Sequence, residues 1–335
     1  MIKAIFLSNI PDRVSYVYPK ETIELLSQIA EADTAVYTKD DILNAPERFS
    51  QVRWIFSTWG MPAFKREEIQ HIFPKLECVF YGAGSVQGFA RPFLACGVRV
   101  FSAWAANSVP VAEYTAAQII LANKGFFALS ALRSRGICAG EIGAIQGKYP
   151  GNYGATVGII GAGMIGSKVI EMLKAYDLPV KVFDPFLSAK KAQKLGVTTC
   201  SLEELFETCT VVSNHLANNP QTREMLTYDH FTRMMPYATF LNTGRGQQVR
   251  EADLVRILRE RPDLTAVLDV TWPEPPEEGH PFYQMENCIL TPHIAGSSGQ
   301  EVHRMARYMV EEFRRMRSGE PCLYEVTEKM LETMA

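Results

Sequence analysis

The chain has 335 residues, 47% of them hydrophobic and 21% charged, with a net charge of −3 at pH 7. That length allows two domains of ordinary size, each with its own core. So small a net charge gives no global reason to expect nucleic acid or an anionic membrane as a partner. The seven cysteines (Cys78, Cys96, Cys138, Cys200, Cys209, Cys288 and Cys322) are odd in number and form no CxxC pair. Neither a disulfide framework nor a structural zinc site is suggested, and no metal is expected. The opening MIKAIFLSNIPDR is too short in apolar residues for a signal peptide, and no stretch reaches bilayer length, so a cytoplasmic location is the expectation.

The first hundred residues alternate. Short apolar runs, IKAIFL (2–7), TAVY (34–37), VRWIFS (52–57), CVFY (78–81) and VRVF (98–101), are separated by stretches of helical composition such as ETIELLSQIAEA. This spacing predicts βαβ units and a parallel sheet. In ANSVPVAEYTAAQIILANKGFFALSALRS, Asn107 or Ser108 can cap and Pro110 suits a first turn. The apolar run predicts a helix to about Ser134, buried between domains or against another subunit. GICAGEIGAIQGKYPGNYGA reads as a glycine-rich connector.

The most informative segment is TVGIIGAGMIG at 156–166. Val157 to Ile160 reads as a buried strand that stops at Gly161, Gly163 and Gly166, and Ser167 to Tyr176 has helical character. A strand turning sharply into a helix exposes backbone N–H groups and the positive end of the helix dipole, which together hold a pyrophosphate. A second apolar strand, VKVF, ends at Asp184. A carboxylate there accepts hydrogen bonds from ribose hydroxyls and repels a 2′-phosphate, which predicts NAD in preference to NADP. Alternation then resumes with VVSNHL (211–216), ATFLN (238–242), TAVLDV (265–270) and CILTPH (288–293). After Gly299, apolar residues at helical spacing (Val302, Met305, Met309, Phe313, Met316) predict one helix that carries the chain back onto the first domain.

Ligands of parallel α/β sheets bind at the carboxyl ends of the strands. Three strand ends carry chemistry: Thr243-Gly244-Arg245 after ATFLN, Asp269 at the end of TAVLDV with Glu274 beyond it, and His293 after CILTP. An arginine fork can hold a substrate carboxylate and polarise the neighbouring carbonyl. An imidazole can give the proton that a new alkoxide needs. A carboxylate beside it keeps the ring oriented and stabilises the positive charge it carries when protonated. Together they form a working set for 2-oxo acid reduction above a nicotinamide.

GAGMIG with DPF, NTGRG, LDVTWPEP and LTPHIAG, in this order and spacing, resemble the D-isomer-specific 2-hydroxyacid dehydrogenase family. VPVAEYTAAQIILA is similar to the family's helix between domains, and YGAGSVQGF to its substrate loop. The resemblance implies an α/β protein of two doubly wound parallel-sheet domains. One is a flavodoxin-like substrate domain of 1–106 and 298–335, the other a Rossmann NAD-binding domain of 107–297. It implies an oxidoreductase that interconverts a small 2-oxo acid and its (R)-2-hydroxy acid. The alternative on the same fold is an NAD(H)-sensing, corepressor-like interaction protein. Arg245 is then the carboxylate anchor, His293 the general acid/base and Glu274 its partner. Asp269 binds the nicotinamide amide. Gly161, Gly163, Met164, Ile165 and Gly166 form the pyrophosphate turn, and Asp184 takes the ribose. Leu216, Thr243, Gly244 and Ala83 line the cofactor, and Ala83 and Gly84 offer N–H groups to the substrate. The helix from about 110 supports a homodimer.

Two departures from the family pattern stand out, with one contrast inside the family. Val86 replaces the acid of the usual GxGxD loop, which bears on that loop's conformation. Ala217 replaces the proline of the usual HxP after His215. Glu274 stands where formate dehydrogenases of the family carry glutamine. His215 itself reads as structural packing and not as a metal ligand. Trp59 and Trp104 follow strands and suit either the core or a pocket wall.

Overall fold

The computed structural model describes residues 2–332. Two compact units are present: one contains the chain up to Asn107 and again from Ser297, the other runs from Ser108 to Gly296. In chain order the strands are β1 (Ala4–Leu7), β2 (Ala32–Tyr37), β3 (Trp54–Ser57), β4 (Cys78–Tyr81), β5 (Arg99–Ser102), β6 (Val157–Ile160) and β7 (Val180–Phe183). They continue with β8 (Thr198–Thr199), β9 (Val211–Asn214), β10 (Thr239–Asn242), β11 (Thr265–Leu268), β12 (Cys288–Leu290) and β13 (Glu325–Val326).

The first unit has strand order β13-β5-β4-β3-β1-β2, parallel except for β13 against β5. Apart from its edge strand, this is the flavodoxin-like order. The apolar runs are buried because helices cover both faces of the sheet. Phe56, Phe80 and Phe101 sit in register on neighbouring strands and stack at 5.1 and 4.9 Å. The helix Val302–Ser318 buries Val302, Met305, Met309 and Phe313 in this core and ends at Gly319, whose φ of 75° suits glycine. Glu312 of that helix, fully buried, accepts the N–H groups of Leu323 (2.9 Å) and Tyr324 (3.0 Å) and so ties down the approach to β13.

The second unit is a seven-stranded parallel sheet of order β12-β11-β10-β9-β6-β7-β8, the Rossmann order with one added strand. The chain leaves β6 for β7 on one side and later returns to β9 on the other, so the switch point lies between β6 and β9. The registers pair Ile160 with Asn214, Asn214 with Asn242, Asn242 with Leu268, and Leu268 with Leu290. The carboxyl ends of five strands are therefore level, and the residues that follow them emerge along one edge.

Three helical expectations need correction. The single helix expected to about Ser134 is two, Trp104–Asn123 and Phe126–Ser134, bent by 66° at a break containing Gly125, whose φ is 67°. Pro110 lies inside the first and not at its start, because the helix begins at Trp104. The glycine-rich connector holds a further helix, Ala139–Gln146. No single helix among the described residues is long and apolar enough to cross a membrane.

Candidate active site

Of the three glycines after β6, the fold requires two, each for its own reason, and leaves the third unconstrained. Gly161 has φ 88°, and a Cβ on it would stand 2.9 Å from the carbonyl oxygen of His215, so it makes the turn. A Cβ on Gly166 would lie 2.0 Å from the Gly161 oxygen, so this glycine lets the helix Met164–Leu173 pack against the strand end. Gly163 is exposed, and a Cβ on it would meet nothing within 4 Å. No described residue fills the space it leaves open. It lies at a helix N-terminus, beside the first-turn N–H groups of Met164 and Ile165, which suits close approach of a pyrophosphate.

Asp184 follows β7 at the same edge. Its carboxylate accepts Ala162 N–H and Phe186 N–H, each at 2.8 Å, so it braces the glycine turn. Lys191 Nζ donates to Ala162 O at 2.8 Å from the other side. His215, after β9, is buried. Its Nε2 lies 2.9 Å from Ser213 Oγ, and its buried Nδ1 has no partner among the described residues. Burial pushes its pKa down to about 3, so the ring is neutral.

A buried amide network, not anticipated from the sequence, carries the Arg245 turn. Asn214 Nδ2 donates to Asn242 Oδ1 (3.0 Å) and to Gln248 Oε1 (2.6 Å). Asn242 Oδ1 accepts Gly244 N–H (3.1 Å), and Gln248 Oε1 accepts Arg245 N–H (3.1 Å). Gln248 Nε2 reaches Leu216 O at 2.7 Å, and Thr243 Oγ1 lies 3.1 Å from Thr115 Oγ1. The turn that carries Thr243, Gly244 and Arg245 is thereby locked to β9 and β10. The Arg245 guanidinium donates to Gly244 O at 2.7 Å and has no ion pair among the described residues. Burial lowers its pKa, and the charge of Glu274 works in the opposite direction. A partly desolvated fork left without an anion is a ready carboxylate site.

His293 and Glu274 meet: Nδ1 lies 2.6 Å from Glu274 Oε1, with both side chains partly exposed. With Nδ1 so engaged, Nε2 is the ring atom left to exchange a proton. Asp269, 2% exposed, lies beneath. Its carboxylate accepts Thr291 Oγ1–H (2.6 Å), Ile294 N–H (2.8 Å) and Ala295 N–H (2.9 Å). Tyr114 Oη lies 3.1 Å from Thr291 Oγ1, extending the network to the long helix.

Ala83 and Gly84 belong to the other unit, after β4. Ser102 Oγ donates to both carbonyls, at 2.9 and 2.6 Å, which leaves their N–H groups unused by that serine. Val86, where the family pattern has an acid, is fully buried, and its carbonyl accepts Phe89 and Ala90 N–H at the head of the next helix. The loop is thus anchored by an apolar side chain.

A Rossmann sheet with this turn, and a cation, carboxylate and imidazole at adjacent strand ends, defines an NAD-binding domain of the dehydrogenase type. Residues 133–295 match the family model described as D-isomer specific 2-hydroxyacid dehydrogenase, NAD binding domain. Residues 133–295, just under half of the chain, thus carry the NAD-binding domain of that family, and NAD is the cofactor such a domain takes. It is 27% identical to the D-3-phosphoglycerate dehydrogenase of Archaeoglobus fulgidus over 232 residues, which are 67% of this chain and 42% of that one. It is 33% identical to the glyoxylate reductase of Korarchaeum cryptofilum over 168 residues, 50% of this chain and 51% of that one. The chain spans about half or less of the length of these curated relatives. Among solved structures, the apo D-mandelate dehydrogenase of Rhodotorula graminis superposes with a TM-score of 0.81 at 20% identity, over 98% of each chain. A phosphoglycerate oxidoreductase from Rhizobium etli gives 0.81 at 19% identity, over 99% of this chain and 100% of that one. At such identity the likeness is one of fold.

Proposed function

We propose that the protein is an NAD-dependent dehydrogenase that interconverts a small 2-oxo acid and its (R)-2-hydroxy acid. The observation that carries this reading is the 2.6 Å His293–Glu274 pair, with an unpaired, partly desolvated Arg245 within electrostatic reach of Glu274. Arg245 holds the substrate carboxylate through its planar fork and polarises the adjacent carbonyl. His293 gives a proton from Nε2 to the oxygen in reduction and takes it back in oxidation. Glu274 keeps the ring oriented and balances the charge it gains and loses. When bound, NAD supplies or accepts the hydride.

Met164, Ile165 and the three glycines take the pyrophosphate, and Asp184 the ribose. Leu216, Thr243, Gly244 and Ala83 line the cofactor. Asp269 receives the nicotinamide amide with the lone pair that its loop leaves over on Oδ2. Ala83 and Gly84 offer N–H groups to the substrate, and in this reading their unit is the substrate domain. The protein works in the cytoplasm as a homodimer. The helices Phe126–Ser134 and Ala139–Gln146 bury no residue, and Phe126 is 49% exposed, which suits a second copy of the chain.

The test is steady-state oxidation of NADH across a panel of 2-oxo acids. Turnover with at least one supports the reading. Tight NADH binding with no turnover on any of them would overturn it and would fit a dinucleotide-sensing protein. Sedimentation velocity tests the dimer.

A further inference from the structure

The segment that carries Glu274 is gripped from outside its own strand. After Arg245 the chain makes a short turn into the helix Glu251–Glu260. Glu251, its first residue, reaches across the sheet edge: Oε1 accepts the N–H of Trp272 at 2.7 Å, two residues before Glu274. Gly246 approaches the same segment so closely that a Cβ on it would lie 2.0 Å from the carbonyl carbon of Thr271. Thr271 Oγ1 donates to Pro273 O at 2.9 Å, stiffening the stretch between the two contacts. One short connector therefore presents Arg245 and holds the peptides leading to Glu274.

The Glu251 side chain is only 13% exposed, and its one ion-pair partner among the described residues is the His280 ring, charged only when protonated, whose Nε2 lies 3.9 Å from Oε2. The Cys288 thiol on β12 also faces it electrostatically, while neighbouring Arg250 pairs with Glu224 and Asp253. An acid in the first turn of a helix is favoured by the dipole alone, but that asks for no contact with a loop 21 residues on. Burial of a carboxylate against a single loop amide carries a desolvation cost that this one bond offsets only in part.

We propose that Glu251 is a positioning residue: by holding the Trp272 N–H it sets where the Glu274 carboxylate meets His293. The catalytic half of this inference rests on the proposed dehydrogenase reading; the structural half does not. Burial pushes Glu251 up to about 7, opposed by its bond to the Trp272 amide. Above that pH the carboxylate is charged and the bond is charge-assisted; below it the group is neutral and the hold is weaker. Glu251→Gln keeps an acceptor oxygen but not the charge, and Glu251→Ala removes both.

Two measurements on the full chain decide the matter. The backbone amide resonance of Trp272, followed against pH, should show an inflection near neutrality in the wild type and none in Glu251→Gln. An amide that does not titrate, or that titrates equally in both, overturns the inference whether or not the protein turns over any substrate. In turnover, Glu251→Ala should lower kcat by between about 10- and 100-fold, the scale of a misplaced catalytic group, with NADH affinity kept. The ratio of wild-type to Glu251→Gln kcat should rise from about one below pH 6 to several-fold above pH 8, the two protonation states differing by one charge-assisted bond. A Glu251→Ala kcat within twofold of the wild type overturns it. If the wild type itself reduces no 2-oxo acid, the dehydrogenase reading fails, and the amide titration still judges the hold.

Discussion

The carbonyl of Asp269 accepts the N–H of His293 at 3.0 Å, and its carboxylate takes the next two amides, those of Ile294 and Ala295. Three consecutive N–H groups thus converge on one residue at the end of β11. His293 is held at φ 54°, a left-handed conformation that costs an L-residue roughly 1–2 kcal/mol, and these bonds offset that cost.

Asp269→Asn should therefore do more than weaken cofactor binding. The carboxamide must turn its NH2 toward a donor, either a loop amide or the Thr291 hydroxyl, leaving one buried group unpaired at a cost of about 1–3 kcal/mol. Urea unfolding measures this, and kcat should fall along with the stability. A variant with wild-type stability and only a raised Kd for NADH would show that the residue serves the cofactor and not the His293 loop.

Arg245→Lys keeps the charge but loses the planar fork. KM for the oxo acid should rise at least tenfold, roughly the 1.4 kcal/mol of one charge-assisted bond, while the Kd for NADH hardly moves. An unchanged substrate KM would place the carboxylate elsewhere.

The glycines of the nucleotide turn separate fold from binding. Gly166→Ala puts a Cβ 2.0 Å from the Gly161 oxygen and should cost about 1–3 kcal/mol as an overpacked contact. Gly163→Ala meets nothing in the protein, so Tm should stay within a degree or two of the wild type, as for a surface change below about 0.5 kcal/mol. Its Kd for NADH should nevertheless rise several-fold. If Gly163→Ala bound NADH as tightly as the wild type, the open space would not be where the pyrophosphate sits.

This turn was legible in the sequence because each glycine acts on its own neighbours: a strand before, a helix after, a carboxylate at the next strand end. Arg245, Glu274 and His293 were legible because apolar runs mark where strands stop, and the level ends of a parallel sheet bring those stops together. The amides that hold the Arg245 turn were not. Asn214, Asn242 and Gln248 find their partners across strands far apart in the chain, and no local spacing records such contacts; the one available signal was a polar residue closing each of the runs VVSN and TFLN. Glu251 was missed for the same reason, since its partner is 21 residues away. The helix Ala139–Gln146 was hidden by two glycines in eight residues, a composition that propensity alone assigns to a loop.

Asp184 should discriminate between the two dinucleotides. The wild type is expected to give a higher kcat/KM with NADH than with NADPH, and Asp184→Ala to narrow the gap by removing the repulsion of a 2′-phosphate. Because the carboxylate also braces the glycine turn through Ala162, the variant should lose some affinity for NADH as well. A wild-type preference for NADPH would sink the assignment.

His215 sets an acid limit on the stability of the nucleotide-binding unit. Its pKa is lowered from 6.5 to about 3 by burial, so the unfolded chain takes up a proton that the folded chain refuses. The associated stability is fully present above pH 6.5 and is lost as pH falls from there toward 3, by at most about 1.4 kcal/mol per pH unit. Glutamine at this position does not titrate and can still hydrogen-bond Ser213. Denaturant unfolding of the wild type and His215→Gln at pH 7 and pH 5 should therefore differ in trend: the wild type should lose about 2 kcal/mol relative to the variant over that interval. The carbonyl of His215 also bounds the Gly161 turn, a Cβ there standing only 2.9 Å away, so weakened packing at this strand end should loosen NADH binding in parallel. A stability difference that stays flat with pH would mean that folded His215 accepts a proton, and that the partnerless Nδ1 has access to water.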